Sequence, residues 1–312
     1  MLTLKKLLLS CCYLGGVGLL FGQPFRPTEH EHPAMGTLFR FVIYCQDNEK
    51  VEASLEMAFA KIDELEQQMS DYRLESELSR LCANPPVNEA QEISPEFWQV
   101  LQFSQELAMA SQGAFDPSIG PLSKLWRRAI RQQELPDSAR IQEAQHLVNY
   151  QWLELLPQNR IRFLREGIQL DLGGVAKGFA LDAAAAILED NGITSYLIDG
   201  GGDLLLGAAP PEREGWEISL NQGGALTPQS NVAITSSGAT YRYLEWEGKR
   251  YSHIIDPRSG WGLSQHRITT VIGPVGMVAD GLASALSVLS EEEAERLLIE
   301  YPAYRCLSCS DW

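Results

Sequence analysis

Positive charge is scarce in this sequence. Lys and Arg number 25 against 41 Asp and Glu, a formal net charge of -16 over 312 residues. Nucleic acid and anionic lipid need clustered basic residues, so neither is an expected partner. An anionic ligand would need a cation to bridge it to so acidic a chain. Cysteine is also sparse outside the first residues. Cys306-Leu307-Ser308-Cys309 has C-x-x-C spacing but no second pair, which argues against structural zinc. The favoured reading packs Cys306 at the end of a last strand, with a local disulfide as the alternative. No internal repeat, low-complexity block or Gly/Pro/Ser-rich linker suggests a domain split. A single long apolar run exists, Leu7 to Gly22, preceded by Lys5 and Lys6.

That run fixes the expected domain plan. Residues 1–22 read as a signal peptide or a membrane anchor. Leu8-Leu9-Ser10-Cys11 has the look of a lipoprotein box, but too few apolar residues precede it. Either main reading puts the body outside the cytoplasm, in a bacterial periplasm or at a cell surface. Residues 23–34 are aperiodic and read as a tether, leaving 35–312 as one domain.

Within that domain the periodicities mix. Thr37 to Tyr44 reads as a strand. Val51, Leu55, Phe59, Ile62, Leu65 and Met69 recur at spacings of three and four, one apolar face of a helix. Ser94-Pro95 opens another helix, and residues 136–148 suggest a third. Residues 152–165 suggest a hairpin. Gln169 to Leu172 reads as a short strand leading into an Ala-rich helix, Val175 to Glu189. Further strands are expected at 195–198, 216–220, 232–235, 241–246 and 268–272, with helices at 278–290 and 291–300. Strands and helices alternate without strict βαβ order, so the expected class is α+β.

Four segments carry chemistry, and each has a plainer explanation. Asp171-Leu172-Gly173-Gly174-Val175-Ala176-Lys177 is a strand, a glycine pair and a helix start, which presents backbone N–H groups to an anion with Lys177 as a mobile cation. It lacks the G-x-G-x-x-G fingerprint, and alone it is an ordinary turn. Gly200-Gly201-Gly202-Asp203 permits close backbone approach, or simply a tight turn. His253 precedes an Asp-Pro-x-x-Gly turn, where it serves as a proton acceptor or a structural ring. Asp280 and Ser284 share a helix face and offer oxygen ligands suited to Mg²⁺, or a local side-chain contact.

Taken together and in order, these segments resemble the ApbE family of FAD:protein FMN transferases. The resemblance runs from about Met35 to Ser290. It includes Met35-Gly36-Thr37, Met69-Ser70-Asp71-Tyr72, Gly113-Ala114-Phe115-Asp116-Pro117-Ser118 and Gly120-Pro121-Leu122 with Trp126. It implies a single mixed α+β domain, T-fold-like. It implies FAD as substrate, contacted by Met35, Tyr72, Ala114, Phe115, Asp116, Asp171, Lys177 and Ile254. It implies Mg²⁺ on Asp280, Ser284 and the carbonyl of Gly174, with His253 as general base and Asp280 as a second possibility. Ser284 stands where the family usually has Thr, and Cys82 where Asn is common.

The implied reaction attaches FMN to a Ser or Thr of a partner protein and releases AMP. Implied acceptors are flavoproteins with a Ser/Thr-Gly-Ala-Thr target, such as redox subunits of the sodium-pumping Nqr or Rnf type. Two other readings remain: a Mg²⁺-dependent FAD pyrophosphatase, and a non-enzymatic flavin-binding surface protein. Ser237-Gly238-Ala239-Thr240 resembles the target sequence itself, but also fits a strand ending of the family.

Overall fold

A hairpin begins the fold, and its turn is made by two left-handed residues. The computed structural model describes residues 26–219, 225–238, 242–264 and 267–307. Strands β1 (Thr28–Ala34) and β2 (Thr37–Ile43) pair antiparallel, with Ala34 opposite Thr37. Met35 and Gly36 between them have φ 51° and 71°. Two positive φ values in a two-residue loop match the twist of the flanking strands. The expected tether is therefore corrected: residues 28–34 are an edge strand. Its inward positions are Thr28, His30 and His32 rather than aliphatic residues, which hid the alternation. His32 stacks on Phe59 with ring centroids 4.6 Å apart and bonds Asp63 at 2.8 Å.

Helix α1 (Asn48–Met69) buries the face read from its spacing. Next come α2 (Glu77–Ala83), β3 (Gln91–Glu92), α3 (Pro95–Ala110), α4 (Gly120–Gln132) and α5 (Ser138–Gln145). The hairpin β4 (Leu153–Leu156) and β5 (Arg160–Phe163) joins β3 in a small sheet. Then follow α6 (Ala176–Asp190), β6 (Tyr196–Gly200), β7 (Leu204–Leu206), β8 (Val232–Gly238) and the hairpin β9 (Tyr243–Trp246) and β10 (Lys249–Ser252). The chain continues through β11 (Ile268–Gly273), α7 (Gly276–Val288), α8 (Glu291–Glu300) and β12 (Arg305–Cys306).

The main sheet runs β1-β2-β6-β7-β8-β11-β12, antiparallel throughout. Phe39, Phe41, Ile43 and Ile198 join Leu55, Ile62, Leu65, Ala180, Ala184, Leu282 and Leu286 in one buried core. Helices α1, α6 and α7 thus cover one face of the sheet, the segregated layering of an α+β domain. Gln169–Leu172 is not a strand. It makes one parallel bridge, Gln169 to Ile119, because Asp171 and the glycines turn it into α6 at once. Residues 216–219 likewise form only isolated bridges, to Gln229 and Ala225. Cys306 does lie on the last strand, and it is disulfide-bonded; Cys309, its partner in the alternative of a local disulfide, lies outside the described residues.

Candidate active site

Two helices meet where neither carries a side chain. A Cβ on Gly178 of α6 would lie 2.3 Å from the Gly276 carbonyl oxygen and 2.8 Å from Asp280 Cβ. Only glycine permits that approach, and it brings Asp280 of α7 against the first turn of α6. Asp182 of α6 clasps the start of α7 by accepting the Gly276 and Met277 amides at 2.7 and 2.8 Å. Those are amides with no partner inside their own helix. Burial still raises the Asp182 carboxyl to about 6.

Asp280 accepts only the Gly178 amide, at 3.1 Å on Oδ2. Its Oδ1 has no hydrogen-bond partner among the described residues. Burial lifts its carboxyl to about 7; Lys177 opposes the rise and Asp203 adds to it. One turn along α7, Ser284 faces the turn before α6. A Cβ on Gly174 would sit 2.8 Å from Ser284 Oγ and 3.1 Å from Phe115 Cε2. A glycine is thus required for the backbone of this turn to reach the serine.

The turn itself is held by Asp171, whose Oδ1 accepts the Gly173 amide at 2.9 Å. The amides of Val175 and Ala176 bond the Leu172 carbonyl at 3.0 and 2.9 Å. With Gly178 on Asp280, most N–H groups expected to face an anion are already used. Lys177 also departs from expectation. It is not a mobile cation but an ion pair with Asp203, which accepts the Ser236 amide at 3.0 Å as well. Burial works against the Lys177 charge, but Asp280 and Asp203 outweigh it and raise its pKa. Lys177 therefore stays protonated. Asp203 ends the triple-glycine turn, whose Gly201 abuts Thr37 beside the Met35 hairpin tip.

His253 follows β10. Its backbone amide and its Nδ1 both reach the Arg242 carbonyl, at 3.0 and 3.1 Å. A carbonyl only accepts, so Nδ1 carries the proton and Nε2 keeps its lone pair. The residue is exposed, yet partial desolvation by the surrounding protein lowers the ring's pKa, and the charges of Arg242 and Arg127 lower it further. The carbonyl bond and Asp171 oppose that shift. A neutral ring with a free Nε2 is a competent proton acceptor. Trp126 of α4 steadies the following turn by bonding the Gly260 carbonyl at 2.9 Å.

Arg127, also on α4, was not read from the sequence. Its Nη1 pairs with Asp71 and its Nη2 with Asp171, the latter at 2.5 Å, while its guanidinium lies 4.3 Å from the Tyr72 ring centre. Burial works to lower its pKa, but the two carboxylates prevail and raise it. Tyr72 is 68% exposed, so its ring is backed by Arg127 and open otherwise. The only sign of Arg127 in the sequence was its place beside Trp126.

The other expected contacts fall into two groups. Phe115 and Met35 pack at the edge of the core, Phe115 directly beside Gly174, and Ile254 is half-buried next to His253. Ala114 is buried. Asp116 is buried with both oxygens occupied: Oδ1 by the Ser118 amide and hydroxyl at 2.8 and 2.6 Å, Oδ2 by the Tyr150 amide at 2.9 Å. Its carboxylate ties the two loops together. A surface hollow lined by Glu245, Lys249, Arg250 and Tyr251 lies on the β9–β10 hairpin and includes none of the site residues.

Fold and site together define a class: a single-domain α+β protein with an oxygen-donor centre at a glycine-lined helix crossing. Solved flavin transferases share the fold. The structure matches the flavinyl transferase ApbE of Pseudomonas stutzeri, apo form, with a TM-score of 0.80 at 25% identity, covering 93% of this chain and 98% of that one. It matches the flavin transferase ApbE of Vibrio cholerae with a TM-score of 0.78 at 25% identity, covering 93% and 100%. Among relatives by sequence, the FAD:protein FMN transferase of Haemophilus influenzae is 32% identical over 261 residues, 79% of this chain and 73% of that protein. That of Klebsiella pneumoniae is 30% identical over 284 residues, 85% and 79%. The chain belongs to the ApbE family, whose model matches residues 35–307.

Proposed function

We propose that this chain is a Mg²⁺-dependent FAD:protein FMN transferase that attaches FMN through a phosphoester bond to a Ser or Thr of an acceptor protein. The observation that carries the reading is the buried Asp280, with an oxygen left unpartnered, one helical turn from Ser284 and the bare Gly174 turn. A carboxylate, an alcohol and a backbone carbonyl form an all-oxygen donor set, which suits a hard cation. Asp280, Ser284 and the Gly174 carbonyl would hold Mg²⁺, which when bound neutralises diphosphate charge and polarises the phosphorus.

The chain's own groups supply the rest. His253 Nε2 takes the proton of the acceptor hydroxyl as its oxygen attacks the flavin-side phosphorus. The new oxygen–phosphorus bond forms, the bond to the bridging oxygen breaks, and AMP departs with that oxygen. Proton removal contributes about 10²–10⁴-fold in rate. Lys177, fixed by Asp203, offsets part of the negative charge that Asp203 and Asp280 bring to the site. Asp171 and Gly173 hold the turn that places Gly174.

Intact-mass measurement of a candidate acceptor with a Ser/Thr-Gly-Ala-Thr segment, FAD and Mg²⁺ tests the proposal. Nqr- or Rnf-type redox subunits are suitable acceptors. The expected result is an acceptor heavier by FMN, with AMP released. Free FMN with unlabelled acceptor would identify a pyrophosphatase, and intact FAD a binding protein. Thr240 of the internal Ser237-Gly238-Ala239-Thr240 segment lies outside the described residues, and the chain's own mass reports on it in the same experiment. An extracytoplasmic location is part of the proposal, supported by the apolar run at 7–22 and the disulfide at Cys306. Among the described residues no helix is long and apolar enough to cross a membrane.

A further inference from the structure

We infer that Arg127 is a positioning residue that couples the ring platform for the dinucleotide to the turn at its diphosphate. The inference rests on the flavin-transferase reading and adds a residue to it. Arg127 is a three-way junction. One nitrogen binds Asp71, which precedes Tyr72; another binds Asp171, which holds the Gly173 amide next to Gly174; the plane of the group backs the Tyr72 ring. A planar fork can do all three at once, and an ammonium cannot.

The alternative is that Arg127 only neutralises two buried acids. Asp71 is raised first by burial and then by the nearness of Asp171, so the two acids do repel without it. Yet a purely neutralising role needs no contact with Tyr72. The ring is exposed apart from its guanidinium backing, in a loop anchored elsewhere by Ser70, Ser76, the Arg73–Glu66 ion pair and the Glu75 carbonyl. An aromatic side chain held on one face and open on the other is a stacking platform. Through Asp171 the same guanidinium fixes the turn beside the diphosphate. Ligand ring and ligand phosphates are thereby set in one register.

The test is calorimetric titration of FAD, FMN and AMP into the full chain with Mg²⁺ and no acceptor, comparing wild type with Arg127→Gln. FAD affinity is expected to fall about 10-fold, with the loss appearing for FMN or for AMP but not for both. A second readout is the acid limb of the kcat/KM profile. Arg127, Arg242 and Asp171 are the charged groups acting on His253, and removing the Arg127 charge should move that limb to higher pH. Should Arg127→Gln melt below the assay temperature, Arg127→Lys serves. It keeps the charge and loses the fork, so FAD binding should weaken while the limb stays in place. A further check is Arg127→Gln in a Tyr72→Leu background, where the affinity loss should largely vanish. Equal affinity in wild type and variant, or equal loss for FMN and AMP, overturns the inference alone. A wild type that binds no FAD removes the functional reading along with it.

Discussion

Asp116 and Asp280 are each 6% exposed, and the family resemblance points to both, yet their hydrogen-bond surroundings differ. Asp116 receives three donors from its own and a neighbouring loop. Asp280 receives one amide and is left with an open oxygen. Burial raises the pKa of both, so neither depth nor titration separates them. Unspent bonding capacity does. The open Asp280 oxygen is not an enclosed orphan, and beside a serine and a glycine turn it is placed to meet a ligand that arrives from solvent.

The largest way to break this comparison is to exchange each carboxylate for an amide. Asp280→Asn should reduce FMN transfer by about 10³-fold or more with little change in melting temperature. Asp116→Asn should do the reverse. It keeps an acceptor for the Ser118 pair but sets an NH2 against the Tyr150 amide, at a cost of about 1–3 kcal/mol, a drop of roughly 2–8 °C, while transfer by the folded fraction survives. Calorimetric melting and acceptor mass read both. If Asp116→Asn costs activity as heavily as Asp280→Asn, its carboxylate meets the substrate after all.

Second in size is His253→Gln, expected to lower kcat by about 10²–10⁴-fold. The sign of the pH dependence follows from the depressed pKa. His253 accepts a proton only when neutral, so at Mg²⁺ concentrations that keep Asp280 ionised kcat/KM should fall as pH drops below the ordinary histidine value near 6.5, and the variant should lack that limb.

Next comes Gly174→Ala. The added Cβ would press on Ser284 Oγ and Phe115. Overpacking of this kind costs about 1–3 kcal/mol, and the Mg²⁺ concentration for half-maximal activity should rise about 10-fold. Gly173→Ala points toward Asp171 rather than the serine and should change Mg²⁺ dependence less.

The smallest effect concerns stability. The Asp280 carboxyl is held near 7 in the folded chain without metal, against an ordinary value of 3.8. A raised acid gives stability that is full below the unfolded pKa and lost as pH rises through the folded one. Metal-free protein should therefore melt lower at pH 8 than at pH 5.5. Mg²⁺, which needs the ionised carboxylate, should raise the melting temperature more at pH 8. Asp280→Asn should flatten the difference.

How much of this was legible in the sequence depends on what each residue could signal locally. The apolar face from Val51 to Met69 and the Glu-rich helix 291–300 read correctly because burial there is periodic, and the strands at 232 and 268 because they are short runs of apolar and β-branched residues buried at successive positions. The edge strand at 28–34 did not, since its inward residues are Thr and His. Helix α4 was missed as a helix although Pro121 sits in its first turn and Leu122, Leu125, Trp126, Ala129 and Ile130 recur at helical spacing, a pattern legible in the sequence. Asp280 and Ser284 were visible as an i, i+4 pair. The pairing of Lys177 with Asp203, the clasp of Asp182 on α7 and the Arg127 junction were not. Each joins residues 26 to 95 positions apart or, for Arg127, two loops 100 residues apart, and a spacing rule cannot reach across that distance.

The account rests on a cation held by Asp280, Ser284 and the glycine turn against the ligand's diphosphate. Titration with Mn²⁺ as a paramagnetic probe, with FAD present and acceptor absent, counts that cation directly. Wild type should take up one tightly held ion that Mg²⁺ displaces, and Asp280→Asn should take up none in that range. An Asp280→Asn protein that binds the ion as tightly as wild type would contradict the account.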